Sequence, residues 1–205
     1  MPCYAIEDVV PIVDPTAYVH PSAVLIGDVT VGPRCYVGPC ASLRGDFGRI
    51  VIKTGANIQD SCVLHGFPNQ DTVVEENGHI GHGAIIHSCV IRHDALVGMN
   101  AVVMDEADVG AETIIAACTL VPAGMRVPTR SLAAGLPAKV LRQLRDDEIS
   151  WKRDGTLMYQ NLAERCLNSM REILPLTHME ANRPKLRVTQ FDSLIATKRR
   201  YAHHD

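Results

Sequence analysis

Aromatic side chains are scarce, 4% of 205 residues, so the large flat groups that often knit packed layers together are mostly missing. Long apolar runs are missing too. Hydrophobic residues make up 46% of the chain but come in short stretches broken by Gly, Asp and Pro, none near the length of a membrane-spanning helix. Basic charge is not in excess: the formal net charge of -3 gives no global field for nucleic acid or an anionic membrane. The stretch Met1-Pro2-Cys3-Tyr4-Ala5-Ile6-Glu7-Asp8 lacks the basic start and apolar block of a signal peptide, and a cytoplasmic location is expected. The seven cysteines form no Cys-x-x-Cys pair, and their odd number in a reducing compartment argues against a disulfide framework. They read as small buried side chains.

What the chain does contain is a period of six. Val19, Leu25, Val31, Val37 and Leu43 fall six apart, and after a three-residue slip come Ile52, Ile58 and Leu64. Val74, Ile80 and Ile86 follow a longer loop. After one five-residue step, Ile91, Val97, Val103, Val109, Ile115 and Val121 continue. Four places after the aliphatic residue the side chain is usually small, as in Ala23, Cys35, Ala41, Cys62, Ala84 and Ala101. A strand repeats every two residues and a helix every 3.6, so a sustained six-residue period indicates a parallel β-helix of stacked coils.

At three hexads per turn, the irregular spacings become informative. Leu43 to Leu64 is one turn plus the slip, and Leu64 to Ile86 is one turn plus a four-residue insertion. These three residues are therefore expected to stack in one column, which places Arg44, His65 and His87 along one prism edge. Two histidines on neighbouring coils are close enough to share a metal, and imidazole is the commonest protein ligand for zinc-like ions. His82, five residues before His87, sits about 16 Å away on extended backbone and turns to another face. One chain cannot readily close such a site; the His82 edge of a neighbour across a threefold axis could. His20, His79 and His93 lack this support and read as non-ligands.

The set Arg44-Gly45-Asp46, Asn57-Ile58-Gln59-Asp60, His65, His82 and His87 on hexapeptide coils, with Gly135-Leu136-Pro137-Ala138-Lys139 at the exit, resembles the γ-class carbonic anhydrase-like hexapeptide-repeat family. The resemblance covers most of residues 10 to 160. It implies an all-β left-handed parallel β-helix, a triangular prism, with a C-terminal α-helix. It implies that His65, His82 and His87 bind zinc, or iron or cobalt, across the interfaces of a homotrimer, two from one chain and one from the next. It also implies that Arg44 and Asp46 pair between subunits and that Gln59 orients the metal-bound water. Tyr159 matches a tyrosine that approaches the metal in some relatives, and its place on an apolar stripe fits simple packing equally.

Within that family, Val19-His20-Pro21-Ser22-Ala23, Leu43-Arg44-Gly45-Asp46-Phe47-Gly48-Arg49 and Trp151-Lys152-Arg153 are nearer to the phenylacetate-degradation and carnitine-operon branches. The first of these is associated with hydrolysis of CoA thioesters. Phe47 stands where the prototype enzyme carries a glutamate, and the loop Gly66-Phe67-Pro68-Asn69-Gln70-Asp71 replaces an acidic proton-shuttling loop. Phe47, Phe67 and Asn57 then read as pocket residues suited to an organic acyl group. The expected function is a metal-hydroxide thioesterase acting on a small-molecule CoA thioester, with weak CO2 hydration. Carbonic anhydrase, a CoA-dependent acyltransferase and a non-catalytic scaffold are the alternatives.

The β-helix is expected over residues 1–137, a helical segment over 138–180 and a flexible tail over 181–205. Tyr159, Leu162, Ala163, Cys166, Leu167, Met170, Ile173 and Leu174 follow one helical stripe. Asp154-Gly155 is the expected start of that helix, after a short segment from Asp146 to Arg153. The basic run Lys198-Arg199-Arg200 reads as solvated.

Overall fold

Each hexad turns its aliphatic residue inward, because a two- or three-residue strand between corners buries one side chain and leaves its neighbours outside. The computed structural model describes residues 2–186, 188 and 191–201. In it the inward residues form three columns. On the first face, Leu25, Leu43, Leu64, Ile86, Val103 and Val121 lie in parallel register. Ile52, Val74, Ile91, Val109 and Val127 stack on the second. Val19, Val37, Ile58, Ile80, Val97 and Ile115 stack on the third. The result is a left-handed parallel β-helix. The longer strands Val24–Val31 and Ser42–Ile52 run round a corner and join the first two faces into one 12-stranded sheet, while the third face is a separate sheet of 8 strands.

The small position of each hexad is buried at the corners: Ala23, Cys35, Ala56, Cys62, Ala84 and Ala101 are at most 1% exposed. Beside these corners the chain turns through left-handed backbone, as at Cys40, Ser61, Asn100, Glu106 and Cys118. The reading of the cysteines as buried side chains is therefore only partly right. Cys35, Cys62, Cys89 and Cys166 are buried, whereas Cys3, Cys40 and Cys118 are exposed. Cys40 and Cys118 occupy left-handed turns whose side chains point away from the core. Gly98 follows an inward valine where coils approach closely. A Cβ there would lie 2.5 Å from the Ala117 backbone nitrogen, closer than any side chain tolerates.

After the β-helix, the antiparallel pair Ser131–Gly135 and Ala138–Gln143 leads into helix α1, Asp146–Ser169. Glu148 caps its start by accepting from the Arg145 backbone N–H at 3.1 Å and from both terminal nitrogens of Arg142. The helix thus begins at Asp146 and passes through the expected start at Asp154-Gly155 without a break. Gly155 is buried against Phe191, whose ring would be 3.2 Å from an added Cβ, so packing holds this glycine inside the helix. The C-terminal end also differs from the expected stripe. α1 stops at Ser169, ahead of Pro175, and leaves Met170, Ile173 and Leu174 exposed beyond it. Its apolar face lies on the third face of the solenoid, where Ala163 and Cys166 pack with Tyr18 and Tyr36.

Within residues 181–205, Phe191 stacks on Trp151 with centroids 5.6 Å apart, and Leu194–Tyr201 forms a second helix, α2. The side chains of Lys198-Arg199-Arg200 and residues 202–205 lie outside the described residues. No helix among the described residues is long and apolar enough to cross a membrane.

Two substitutions test this packing. Ile86→Ala, in the fully buried first column, is expected to cost about 2–5 kcal/mol. Gly98→Ala is expected to cost at least about 1 kcal/mol through backbone displacement. Both are read from midpoints of chemical denaturation, with the surface change Lys139→Ala staying within about 0.5 kcal/mol of the parent.

Candidate functional site

The corner insertions place the histidines. In strand Ser42–Ile52 the pairing offset to the preceding coil grows from 18, Leu25 with Leu43, to 21, Val31 with Ile52. The extra residues are pushed out at the corner around Asp46 and Phe47. The four-residue insertion before strand Thr72–Val74 is likewise absorbed in the loop after His65. Register on the first face survives, and strands Val63–His65 and Ile85–His87 pair with His65 directly beside His87.

The two imidazoles face each other, with His65 Nδ1 and His87 Nε2 3.2 Å apart. Behind each stands a carboxylate. Asp46 Oδ1 lies 3.0 Å from His65 Nε2, and Asp105 Oδ1 bonds His87 Nδ1. With each imidazole neutral and its one N–H given to its carboxylate, the two inward nitrogens would both present lone pairs. Lone pairs at that distance repel unless a cation lies between them. Zinc with nitrogen ligands at its usual bond length and a tetrahedral angle needs ligand nitrogens about 3.4 Å apart, close to what is found. A carboxylate bonded to the outer nitrogen of each histidine is also the arrangement that fixes tautomer and ring orientation in metal sites. This donor pair fits a divalent metal.

Arg44 Nη1 donates to Asp46 at 2.8 Å. Within the chain the two residues flank the same corner of strand Ser42–Ile52. Burial opposes ionisation of Asp46, but hydrogen bonds from Arg44 and His65 outweigh it and hold the carboxyl below the usual range. Asp46, two residues after Arg44, is the one hydrogen-bonded to His65. Phe47 and Phe67 stand on either side of the pair, 5.4 Å from the His65 ring and 5.2 Å from the His87 ring, both largely exposed.

His82 lies elsewhere, at the corner after strand His79–Ile80, with Nδ1 2.6 Å from Asp60 Oδ2. Its side chain is 47% exposed against 13% for His65, so it projects outward from its own chain. Among the described residues, no three of His, Cys, Asp and Glu in one chain converge to hold a metal.

Gln59, Asn57 and Tyr159 gather on the third face with His82, away from the His65 and His87 edge. Gln59 Nε2 donates to Asn57 Oδ1 at 3.0 Å and to His79 Nε2 at 2.7 Å. His79 Nδ1 lies 3.4 Å from Thr156 Oγ1, and the Tyr159 ring meets the imidazole edge-on at 5.3 Å. Burial, with smaller contributions from Lys152 and His82, pushes His79 down to about 3 and keeps it neutral. Burial also pushes the Tyr159 phenol up to about 12 and Lys152 down to about 8. Gln59, His79, His82 and Tyr159 line one end of a cleft of about 740 Å³ between the third face and α1. Its walls are apolar, with Leu96, Ile114, Met158 and Phe191 prominent.

His79, Thr156, Asp60 and Asp105 are residues that sequence reasoning missed. The column spacing held the signal. Asp105 stands 18 residues after His87, and Asp60 stands 22 before His82, the same interval that separates Leu64 from Ile86. His79 precedes Ile80 as Asn57 precedes Ile58, and the two pairs are in register.

No protein-family model matches the chain. Curated relatives do: the carnitine operon protein CaiE of Escherichia coli (strain K12) is 57% identical over 189 residues, covering 92% of this chain and 96% of the relative. CaiE of Proteus sp. (strain LE138) is 56% identical over the same span. Among solved structures, a putative acetyltransferase of Bacillus cereus is 31% identical with a TM-score of 0.80, covering 81% of this chain and 96% of that one. A hexapeptide transferase family protein from Anaplasma phagocytophilum is 35% identical with a TM-score of 0.77, covering 80% and 97%. The register, the paired histidines and this similarity together place the chain in the CaiE family of γ-class carbonic anhydrase-like hexapeptide-repeat proteins.

Proposed function

We propose that the chain is a metal-dependent thioesterase whose centres form between copies, with His65 and His87 from one chain and His82 from the next in a homotrimer. The observation that carries the reading is the facing pair of imidazoles, with ring nitrogens 3.2 Å apart and a carboxylate behind each. Two ligands on one edge and an outward-facing third on another corner call for a second copy to complete the set. Val63 and Ile85, adjacent in register and exposed beside the histidines, supply apolar surface for that contact.

Zinc, or iron or cobalt, would supply a hydroxide nucleophile near neutral pH when held by three neutral imidazoles. The residues of the chain do the rest. Asp46, Asp60 and Asp105 hold the outer nitrogens and keep the lone pairs directed at the shared point. Gln59 accepts a hydrogen bond from the nucleophile and orients it. Tyr159, a neutral phenol at pH 7, offers a donor to the acyl oxygen. Phe47 and Phe67 exclude water from the His65 and His87 side. The apolar cleft that begins at Gln59 and His82 takes the acyl group.

That cleft favours a thioester over CO2, which has no use for about 740 Å³ of apolar space. Rapid CO2 hydration also needs a proton shuttle. Asp71, the acidic residue of the 66–71 loop, is engaged with Arg49. Acyl transfer is the second reading, since the solved structures at 31% and 35% identity carry acetyltransferase and transferase names. On that reading a phenylacetyl-type or other acyl-CoA would lose its acyl group to an acceptor and not to water.

Metal analysis with acyl-CoA turnover tests the proposal. Purified protein is expected to hold one metal per chain and to hydrolyse bulky acyl-CoA thioesters without an added acceptor. His82→Ala is expected to lower turnover by at least about 100-fold. Metal-free protein with full activity, or turnover that requires an amine or alcohol acceptor, contradicts the reading. Asp105→Asn is expected to weaken metal affinity about 10–100-fold while the protein stays folded, measured by competition with a chromophoric chelator. Met158→Trp, which fills the cleft, is expected to raise KM for bulky acyl-CoA by about 10-fold with metal content unchanged.

A further inference from the structure

His79 belongs to no expected ligand set, yet it is the most constrained histidine near the cleft. Its ring is held on three sides: by Gln59 at Nε2, by Thr156 at Nδ1 and by Tyr159 across its edge. The polarity of this chain of hydrogen bonds determines what Gln59 can do. An amide nitrogen carries two protons, and here one goes to Asn57 Oδ1 and the other to His79 Nε2. Both donors of Gln59 are then spent, and only its oxygen is left for the cleft. This requires His79 to be neutral and to carry its proton on Nδ1, facing Thr156. Burial beside Lys152, which disfavours the imidazolium, agrees with the first requirement.

We infer that His79 is a positioning residue: it fixes the Gln59 amide so that Oε1 is presented to the cleft beside His82, as an acceptor for the hydrogen of the nucleophilic water or hydroxide. This rests on the thioesterase reading for its purpose but not for its geometry. An amide free to turn would present N–H half of the time. That would donate to the nucleophile's lone pair, the pair needed for attack, and so oppose the reaction. The competing arrangement has both amides turned over, with Asn57 Nδ2, unpartnered within the chain as it stands, donating to Gln59. It would demand the opposite tautomer, with the His79 proton on Nε2. The tautomer therefore reports which face Gln59 shows.

The test has an arm that does not depend on turnover. In protein labelled with 15N-histidine, the His79 ring is expected to show a protonated Nδ1 and a bare Nε2, unchanged between pH 8 and pH 5. In kinetic assays of metal-loaded protein, His79→Leu is expected to lower kcat about tenfold with KM changed less than about twofold, the size of one misdirected hydrogen bond. His79→Asn, whose side-chain oxygen can still accept from Gln59, is expected to restore part of the loss. A protonated Nε2 in the parent protein overturns the inference, as does unchanged kcat in a folded His79→Leu. If the parent shows the Nδ1 tautomer but hydrolyses no thioester, the amide lock stands and the thioesterase reading falls.

Discussion

Register between stacked coils is the constraint on which everything else here depends. Each coil buries its aliphatic residues at the same height as those above and below, and the inter-coil hydrogen bonds lock that alignment. Slipping one strand by a residue would turn its inward side chain to solvent, at a loss of about 1.5–3 kcal/mol per aliphatic group. Insertions are therefore tolerated only at corners. The extra residues around Asp46 and Phe47 and the loop after His65 are such insertions. They leave the column intact while pushing polar and aromatic side chains out beside it. The same rule that stabilises the solenoid brings His65 level with His87.

The electrostatics of the edge follow from that alignment. Two imidazoles forced into contact would ordinarily settle into a donor and an acceptor. Here carboxylates stand at the outer nitrogens, and an N–H given to each would leave the inward nitrogens with lone pairs directed at one another. His82 also has a carboxylate on one ring nitrogen, Asp60 at Nδ1, and it stands on an outward-facing corner. Three similarly prepared imidazoles, two facing one way and one outward, make sense as the two halves of a centre divided between copies. Gln59 and Tyr159 line the same cleft as His82, so on the proposed division the apolar cleft would belong to one subunit and the histidine pair to the other.

The columns were legible in the sequence because a period of six leaves little else to fit. Leu43, Leu64 and Ile86 could be aligned by counting alone, and with them His65 and His87. Counting in units of a turn would also have found Asp105 and Asp60, since they stand at column intervals from the histidines they hold. Ligand spacing alone does not point to them. The role inferred for His79 lies in the direction of a hydrogen bond, which spacing does not encode. In the sequence Gly155 reads as a helix boundary, whereas Phe191, more than thirty residues later, packs on the face a larger side chain would fill. Contacts between distant segments of that kind leave no periodic trace.

The claim that the centre is divided between copies is tested most directly by subunit complementation. His82→Ala and His87→Ala chains, each inactive alone, are unfolded, mixed in equal amounts and refolded together. In random trimers about a quarter of the interfaces pair an intact His65 and His87 edge with an intact His82. Metal binding and thioester hydrolysis are expected to return to about a quarter of the parent level in the mixture. A mixture as inactive as its components would contradict the account, and so would full activity in either variant alone.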